Sequence, residues 1–468
     1  MHTGRTRKKR IFQPFASKVS GFVAICCWII SCLGCQPRDR VTARGRPNVV
    51  LLLVDSLRPD SLHDYGNARK TDPFLAEFGK KGVRFTNAHS HSSTTKLSVA
   101  SLFTGLIPPA NGVREALLPT KKRMYAGDIL SSELTTIAEV LKKNGYSTAA
   151  FVNNPHLRAS SGFSQGFKDY KYFPGSKATA AELNQSVLDW LKKTPRKPFF
   201  VYVHYMDLHI SYNPTEKYRL LYTKDKNEPP ISTMGFWRGP LANRRIKQTR
   251  ALYEAQINYW DDSLRLFIGQ LEKGGWLSST LFIILADHGE EFYDHGGFGH
   301  NFTLYEEMLR VPLYFIYQGV LPSGQTRNDL VQLVDIFPTI GHFTERNLAQ
   351  LNLNGLNLFP AVPYKNPSLR VHYAEVSSIV APRSVQTEKA KLIYNSKQDR
   401  YEFYDLIRDP REQKNVYKQN IEASALLKRK LIQIQLLYKS GPKTRLRELD
   451  PKTIEQLKSL GYISGKDR

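Results

Sequence analysis

The chain has 468 residues, with 67 Lys and Arg against 42 Asp and Glu, a formal charge of +25. Apolar residues make up 41% and aromatic ones 11%, enough to bury a large core, which excludes a disordered chain. The four cysteines, Cys26, Cys27, Cys32 and Cys35, all lie near the amino end, so a disulfide framework, a thiolate metal site or a cysteine nucleophile is excluded from everything after residue 35.

The amino end reads as an export signal. Arg5, Arg7, Lys8, Lys9 and Arg10 form a basic stretch, and an apolar run follows over residues 21–33. That run is short for a bilayer-spanning helix, which needs about 20 apolar residues. Small residues and Cys35 close it, and the polar QPRDR follows, as in a secretory signal peptide. Gly34-Cys35 resembles the end of a bacterial lipobox, with Cys32 where that motif has Leu. The expectation is an exported protein of the periplasm or cell envelope, held at the membrane as a lipoprotein or by the signal itself. Residues 1–35 are then the signal and 36–46 a linker. Residues 1–46 account for +9 of the charge and leave +16 on the remaining 422. Such an excess suits nucleic acid, an anionic substrate or an anionic surface. The basic residues are scattered without an aromatic-basic motif, which argues against nucleic acid.

Beyond the leader, strands and helices alternate. NVVLLLV (48–54) is a continuous apolar run, the pattern of a buried parallel strand. Thr71-Asp72-Pro73 opens a helix, with a capping residue before Pro and Gly82 at the end. Residues 134–143 predict a helix leading into the strand TAAFV, and 180–193 an amphipathic helix. Residues 199–203, 281–285 and 311–317 are further strands, and 251–273 a long helix ending at Gly274-Gly275. This rhythm predicts an α/β fold, a mainly parallel sheet flanked by helices. Residues 211–250 are polar, basic and proline-bearing, like an insertion or lid. The catalytic-type domain is expected over 47–365. A C-terminal subdomain over 366–468 would hold a small antiparallel sheet, a basic helix over 423–438 and a terminal segment. The helix's Lys428-Arg429-Lys430 suits either a solvated face or anionic lipid.

In parallel sheets, sites form beyond the carboxyl ends of strands. Here NVVLLLV ends at Asp55, FFVYV at His204, Asp207 and His209, and LFIIL at Asp287 and His288. SSTTKLSVASLFTG places hydroxyls ahead of an apolar helical segment. Each alone suits a turn residue, a cap or a structural histidine. Together they suit a divalent metal with an activated hydroxyl.

The chain resembles the sulfatase family of the alkaline phosphatase superfamily over roughly residues 47–465. RPNVVLLLVDSLRPDSLHDYG, FLAEFGKKGVRFTNAHS, TKLSVASLFTGLIPPANGV, NGYSTAAFVNN, FVYVHYMDLHISY, ADHGEEFYDHGGFGHNFTLYEEMLRVP, LVDIFPT, EFYDLIRDPREQKN and LKSLGY occur in family order. The resemblance implies the alkaline-phosphatase-like fold and metal-assisted ester hydrolysis. Asp55 matches the first metal-binding aspartate, and Ser56 stands where the family often has a second acid. Asp287 matches the later aspartate. His288 falls where many sulfatases have Asn and several phosphoesterase relatives have His. Counting back from Thr104-Gly105 puts Thr95 in the nucleophile position, with Leu97 for Pro, Ser98 kept and Val99 for Arg. Neither Cys nor Ser stands at 95, so no formylglycine is expected. Thr nucleophiles with Asp-His metal sets occur in relatives that transfer phosphoglycerol or phosphoethanolamine.

A divalent cation would favour the Thr95 alkoxide, and so would the amino terminus of the helix that follows. The resemblance further implies Asp55, Asp287, His288 and Thr95 as ligands of one divalent ion, Ca, Mn, Zn or Mg. His209 and His300 fall where the family binds the substrate anion or protonates the leaving alcohol. His204, His295 and Ser98 are supporting substrate contacts or second partners. Asn153 follows a strand where other sulfatases have a Lys-x-His pair, which is missing here, and Arg310 and Asp335 are structural. The expected activity is hydrolysis of a sulfate or phosphate ester, on a sulfated glycan, an aryl sulfate or a phosphodiester. A phosphodiesterase or transferase using Thr95, and a non-catalytic binder of anionic glycans with Thr95 as a mere helix cap, are the alternatives.

Overall fold

The structure is a computed structural model. It describes residues 45–114, 117–119, 124–126, 129–174, 178–194, 198–236, 240–360, 370–376, 382–438, 447–448 and 450–459. The export leader and Cys35 lie outside the described residues. Residues 46–468 belong to one compact unit. No helix of the described residues is long and apolar enough to cross a membrane.

The central sheet is built from β1 (Asn48–Val54), β2 (Val83–His89), β3 (Ser147–Val152), β4 (Asp169–Tyr172), β5 (Phe199–Tyr205), β6 (Thr280–Leu285), β7 (Arg310–Ile316), β8 (Gln325–Arg327) and β9 (Val331–Gln332). Their order is β8-β2-β7-β6-β1-β5-β3-β4, with β9 also on β2. The strands β6, β1, β5, β3 and β4 run parallel. The strand β7 runs antiparallel to both β6 and β2, so the mainly parallel sheet is mixed at one side. Val49 to Val54 are buried on both faces, which is why β1 reads as an unbroken apolar run.

Helices cover this sheet. The first three are α1 (Pro73–Gly79), α2 (Thr95–Thr104) and α3 (Ile137–Lys143); α4 (Ala180–Lys193), α5 (Asn243–Lys273) and α6 (Ile336–Phe343) complete the set. One group packs α1 and α4 on α5, and another packs α2 on α3 and α6. Thr136 and Thr179 each form a capping box, with Glu139 and Glu182, satisfying end N–H groups. The helix α1 departs from expectation. Asp72 gives its end no side-chain cap but accepts the His63 N–H instead. Asp261, from the middle of α5, accepts Phe74 N–H at 2.8 Å and Leu75 N–H at 2.7 Å. The helix α5 also starts eight residues before expectation, at Asn243, and a short helix, Glu216–Tyr222, packs on it. The expected insertion is therefore shorter than 211–250.

The C-terminal part forms a four-stranded antiparallel sheet, β10 (His372–Glu375), β11 (Arg383–Gln386), β12 (Ala390–Asn395) and β13 (Arg400–Asp405). Leu427 and Leu431 of α7 (Ile421–Leu437) close its small core over Tyr373, Val385, Leu392 and Phe403. The sheet also touches the approach to Thr95. Glu375 N–H donates to His91 O at 3.0 Å, and a ring nitrogen of His372 meets Ser90 O at 2.8 Å.

Candidate active site

Adjacent parallel strands β6, β1, β5 and β3 deliver polar residues to one edge of the sheet, as strand ends in such folds do. Asp55 follows β1, Asp287 and His288 follow β6, His204 ends β5 and Asn154 follows β3. Thr95 comes from outside the sheet as the first residue of α2, whose ten residues are all buried. The helix closes at Gly105, where φ is +66°, a conformation that glycine adopts without strain. Gly289 follows His288, and a Cβ there would stand 1.9 Å from Glu307 O.

Asp55 is the hub. Its Oδ2 accepts from the Thr95 hydroxyl at 3.2 Å and from Asn154 Nδ2 at 3.0 Å, and lies 3.1 Å from His204 Nε2. Its Oδ1 accepts from the Ser56 hydroxyl at 2.8 Å. Ser56 N–H donates to Asp287 Oδ1 at 3.2 Å. So Ser56, which stands where the family often has a second acid, ties the two aspartates together. It does so at φ +61°, uncommon for a residue with a Cβ and the kind of strain that collects at functional sites.

The histidine rings are held from behind. A ring nitrogen of His288, Nδ1, meets Gly289 O at 2.8 Å. Its Nε2 then lies 3.4 Å from Thr95 Oγ1, 3.5 Å from Asp287 Oδ2 and 3.9 Å from Asp55 Oδ1. The His204 Nδ1 meets Tyr202 Oη at 2.8 Å, which turns Nε2 to Asp55. Such outer contacts set the tautomer and aim of a ligating histidine.

The charges are mutually dependent. Burial pushes the Asp55 carboxyl up, but the His204 hydrogen bond and the charges of His209, His288 and His204 outweigh it and hold it well below the usual carboxylate range. Burial and the Asp55 charge push Asp287 up. Burial pushes His288 down, but Asp287 and Asp55 outweigh it and raise it. One atom each of Asp55, His204 and Asp287 lie within 4.8 Å of one another. Asp287 Oδ2 is buried with no hydrogen-bond partner among the described residues, an acceptor that a cation could satisfy. Carboxylate oxygens plus imidazole fit one divalent ion.

His209 and His300 do come together. Their rings lie 4.9 Å apart, and His300 lies 4.5 Å from the His288 ring. Two other expected residues do not join them. His295 instead meets Glu307 Oε1 at 2.7 Å and Glu412 O at 3.1 Å, and stacks on Tyr305 at 3.7 Å. Burial lowers its proton affinity, but the Glu307 hydrogen bond and charge outweigh it and raise it to about 9. Ser98 bonds Ser90 Oγ at 2.8 Å and Ser92 O at 3.1 Å, shaping the turn before Thr95. Asp207 accepts Ala180 N–H at 3.0 Å and so starts α4. Arg310 bonds Thr86 O, and Asp335 accepts Gln332 N–H at 2.7 Å, both structural as expected.

Sequence reasoning missed Asn154, Tyr202 and Glu290. It weighed Asn153 instead, whose side chain bonds Phe173 O and Ala178 N–H. Asn154 Nδ2 also lies 3.3 Å from Thr95 Oγ1. One residue's step past a strand end reverses the side it serves, a signal that residue type alone did not carry.

The sulfatase family model matches residues 47–345, and the model described as N-sulphoglucosamine sulphohydrolase, C-terminal, matches residues 293–436. An arylsulfatase of Clostridium perfringens is 23% identical over 457 residues, covering 81% of this chain and 92% of the relative. The phosphonate monoester hydrolase of Agrobacterium radiobacter superposes with a TM-score of 0.66 at 18% identity, covering 86% of this chain and 100% of that one. A protein solved with its substrate D-glucosamine-2-N,6-O-disulfate superposes at 0.67 and 18% identity, covering 84% and 98%.

Proposed function

The chain belongs to the sulfatase family of the alkaline phosphatase superfamily, and from that premise we propose a metal-dependent esterase that uses Thr95 on sulfate or phosphate esters. The observation that carries this reading is the position of the Thr95 hydroxyl. It sits at the amino end of a buried helix, 3.2 Å from Asp55 Oδ2 and 3.4 Å from His288 Nε2. Asp55, Asp287, His288 and His204 would hold one divalent ion, with Thr95 as the exchangeable fifth group. His204 would add an imidazole to that set, in which Ser56 offers no carboxylate. A divalent cation there supplies positive charge for an ionised hydroxyl and for the ester's developing oxyanion.

Thr95 Oγ1 gives up its proton to solvent and forms a bond to sulfur or phosphorus as the ester O–S or O–P bond breaks. His300 or His209 gives that oxygen a proton. The end N–H groups of α2 would favour the bound anion. Water then cleaves the threonyl ester, restoring the hydroxyl and releasing sulfate or phosphate. Asn154 keeps the hydroxyl aimed by bonding both it and Asp55.

Relatives named for sulfated sugars and for phosphonate monoesters share this fold. They support a sulfated glycan as the substrate, and the arylsulfatase relative an aryl sulfate; a phosphodiester is the remaining candidate. The second reading, phosphoryl-type transfer or phosphodiester cleavage, is favoured by one observation: the Asp-His pair 287–288 in place of the Asn found in many sulfatases. The reading extends to an exported protein at the cell envelope, on the strength of the leader over residues 1–35. A panel of aryl sulfate, phosphate monoester, phosphodiester and phosphonate substrates, with wild type and Thr95→Ala, tests the proposal. Turnover of one class that vanishes in Thr95→Ala supports it. Turnover retained in Thr95→Ala overturns the covalent step.

A further inference from the structure

The chain turns sharply after β1, and the long helix α5 holds the turn. Asp55 follows the strand, Ser56 comes next at φ +61°, and Arg58 ends the elbow. The Tyr253 hydroxyl, from α5, donates to Ser56 O at 2.8 Å and accepts from Arg58 N–H at 2.9 Å. One phenol oxygen thus stands between a carbonyl and the N–H two residues on, the pair that a γ-turn joins directly. Tyr253 is wholly buried. Its ring packs edge-on against Tyr212 at 5.5 Å and tilted on Phe292 at 4.9 Å, so the hydroxyl has little freedom to follow a moving turn.

The elbow matters because of what Ser56 holds. Its N–H donates to Asp287 Oδ1 at 3.2 Å and its hydroxyl to Asp55 Oδ1 at 2.8 Å. Each bond takes one oxygen of a carboxylate and leaves the other to the site. Asp55 Oδ2 meets Thr95 and Asn154, and Asp287 Oδ2 lies 3.5 Å from His288 Nε2. A residue with a Cβ disfavours φ +61°, so the turn has an intrinsic tendency to relax. A buried N–H or C=O left without a partner is costly, and Tyr253 satisfies one of each. Arg58 anchors the outer end of the elbow. Its guanidinium is clamped by Asp60 and Asp294 and donates to Glu290 O at 2.8 Å, and Glu290 Oε1 meets His300 Nδ1 at 2.9 Å. The contact to the Ser56 carbonyl itself is the phenol's.

We propose that Tyr253 is a positioning residue for the metal site: by pinning the strained Ser56 elbow it sets the orientation of both Asp55 and Asp287, from a helix that supplies no ligand. The statement rests on the metal-dependent reading above. Bonds behind a ligand fix its aim, and here one hydroxyl acts behind two ligands through the residue that joins them.

The test is Tyr253→Phe, which keeps the ring and removes the hydroxyl. Manganese(II) is the probe, in competition with a chromophoric chelator on protein stripped of ions. Affinity should fall about 10-fold, the lower end of what losing an outer partner costs. The control is Tyr314→Phe, which removes another wholly buried hydroxyl, bonded to Asp64 Oδ2 at 2.9 Å. Both variants lose a buried hydrogen bond and should lower the thermal midpoint of the stripped protein; only Tyr253→Phe should weaken manganese binding. Unchanged affinity in Tyr253→Phe, or an equal loss in Tyr314→Phe, overturns the proposal. Amide hydrogen exchange on the stripped protein, resolved to single residues, reads the elbow directly. Arg58 N–H loses its acceptor in Tyr253→Phe in any case, but Ser56 N–H exchanges faster only if the elbow moves off Asp287. Faster exchange at Ser56 in Tyr253→Phe and not in Tyr314→Phe is the expected result. If wild type binds no manganese, zinc or calcium, the metal-dependent reading fails, and the exchange result still decides the positioning: unaltered Ser56 exchange overturns it.

Discussion

The Thr95 hydroxyl donates to Asp55 Oδ2 across 3.2 Å, and the same oxygen accepts from Asn154 and faces His204. A hydroxyl so placed is oriented before any substrate arrives. Reaction geometry held in advance is worth several orders of magnitude in rate. Thr95→Ala should therefore lower kcat by on the order of 10³-fold or more while leaving the thermal midpoint nearly unchanged. Thr95→Ser keeps the oxygen and should retain activity within about tenfold. Intact-protein mass spectrometry after acid quench should show a sulfo or phosphoryl adduct on wild type that Thr95→Ala lacks. An adduct on both proteins places the covalent chemistry elsewhere.

The orientation of His204 yields a second expectation. Tyr202 holds its Nδ1 at 2.8 Å, and Nε2 belongs to the group with Asp55 and Asp287. Removing an outer partner of a ligating histidine typically costs 10- to 100-fold in metal affinity, and Tyr202→Phe should fall in that range, about 10-fold or more. His204→Ala should lose more. Competition with a chromophoric chelator reads both. Affinity unchanged in His204→Ala would leave Asp55, Asp287 and His288 as the whole ligand set.

How much of this was legible beforehand follows from the physics of each element. The strands β1, β5 and β6 are buried on both faces, so continuous apolar runs marked them and the polar residues that end them. Strand direction leaves no mark in such a run, and β7 reads the same whether parallel or antiparallel. The first turns of α5, NRRIKQTR, are largely polar, with Asn243, Arg244 and Lys247 exposed; they resemble a loop until the packed half of the helix extends them. His295 and His300 sit in one stretch, DHGGFGH, and nothing in residue type separates the one paired with Glu307 from the one beside His288. Asn154 and Glu290 were hidden by neighbours of the same type, Asn153 and Glu291. Only side-chain direction distinguishes each pair.

Acid should loosen the approach to the site. His89, His372 and His91 pack in sequence, tilted to one another, with ring centroids 5.3 and 5.1 Å apart. All three are buried, and His89 Nδ1, His372 Nδ1 and His91 Nε2 lack hydrogen-bond partners among the described residues. Burial lowers His91 to about 4 and outweighs its bond to Tyr373 O, with Arg370 and His89 adding to the effect. Burial and the neighbours His91, His89 and Lys391 hold His372 well below 6.5. Folding is favoured while the His91 and His372 rings are neutral. The unfolded chain binds more protons below about 6.5, so stability is full above that pH and falls as pH drops toward 4. For His91 alone the loss is roughly 3 kcal/mol, at 1.36 kcal/mol for each tenfold change in proton affinity. Urea midpoints at pH 7.5 and 4.5 measure the slope, and His91→Gln should flatten it. An unchanged slope in His91→Gln would mean that other groups set the acid limit.

The sharpest stability test lies where the C-terminal sheet meets the main one. Lys391, from β12, is wholly buried and pairs with Glu306 at 3.1 Å and Glu412 at 3.0 Å. The Glu412 carboxylate also accepts Glu306 N–H at 2.6 Å, and Glu306 lies 3.1 Å from His89. Burial pushes Glu306 up, but His89 and Lys391 outweigh it and hold it well below the usual range. For Glu412 burial wins, and the carboxyl is pushed to about 8 despite Lys391. The ammonium therefore compensates chiefly one carboxylate, that of Glu306. Lys391→Met keeps the volume and strands that charge, which typically costs about 3–5 kcal/mol in a buried pair. Without the ammonium, Glu306 is free to take a proton in the folded state as pH falls. The variant's deficit should thus be largest at pH 8 and shrink toward pH 5, opposite in sign to the histidine effect. Measuring the wild-type minus Lys391→Met difference at matched pH separates the two. The double variant Lys391→Met/Glu306→Gln should recover most of the loss at every pH. If the double variant is as unstable as the single one, the buried charge is not the cause, and the cost belongs to the shape of the packed side chain.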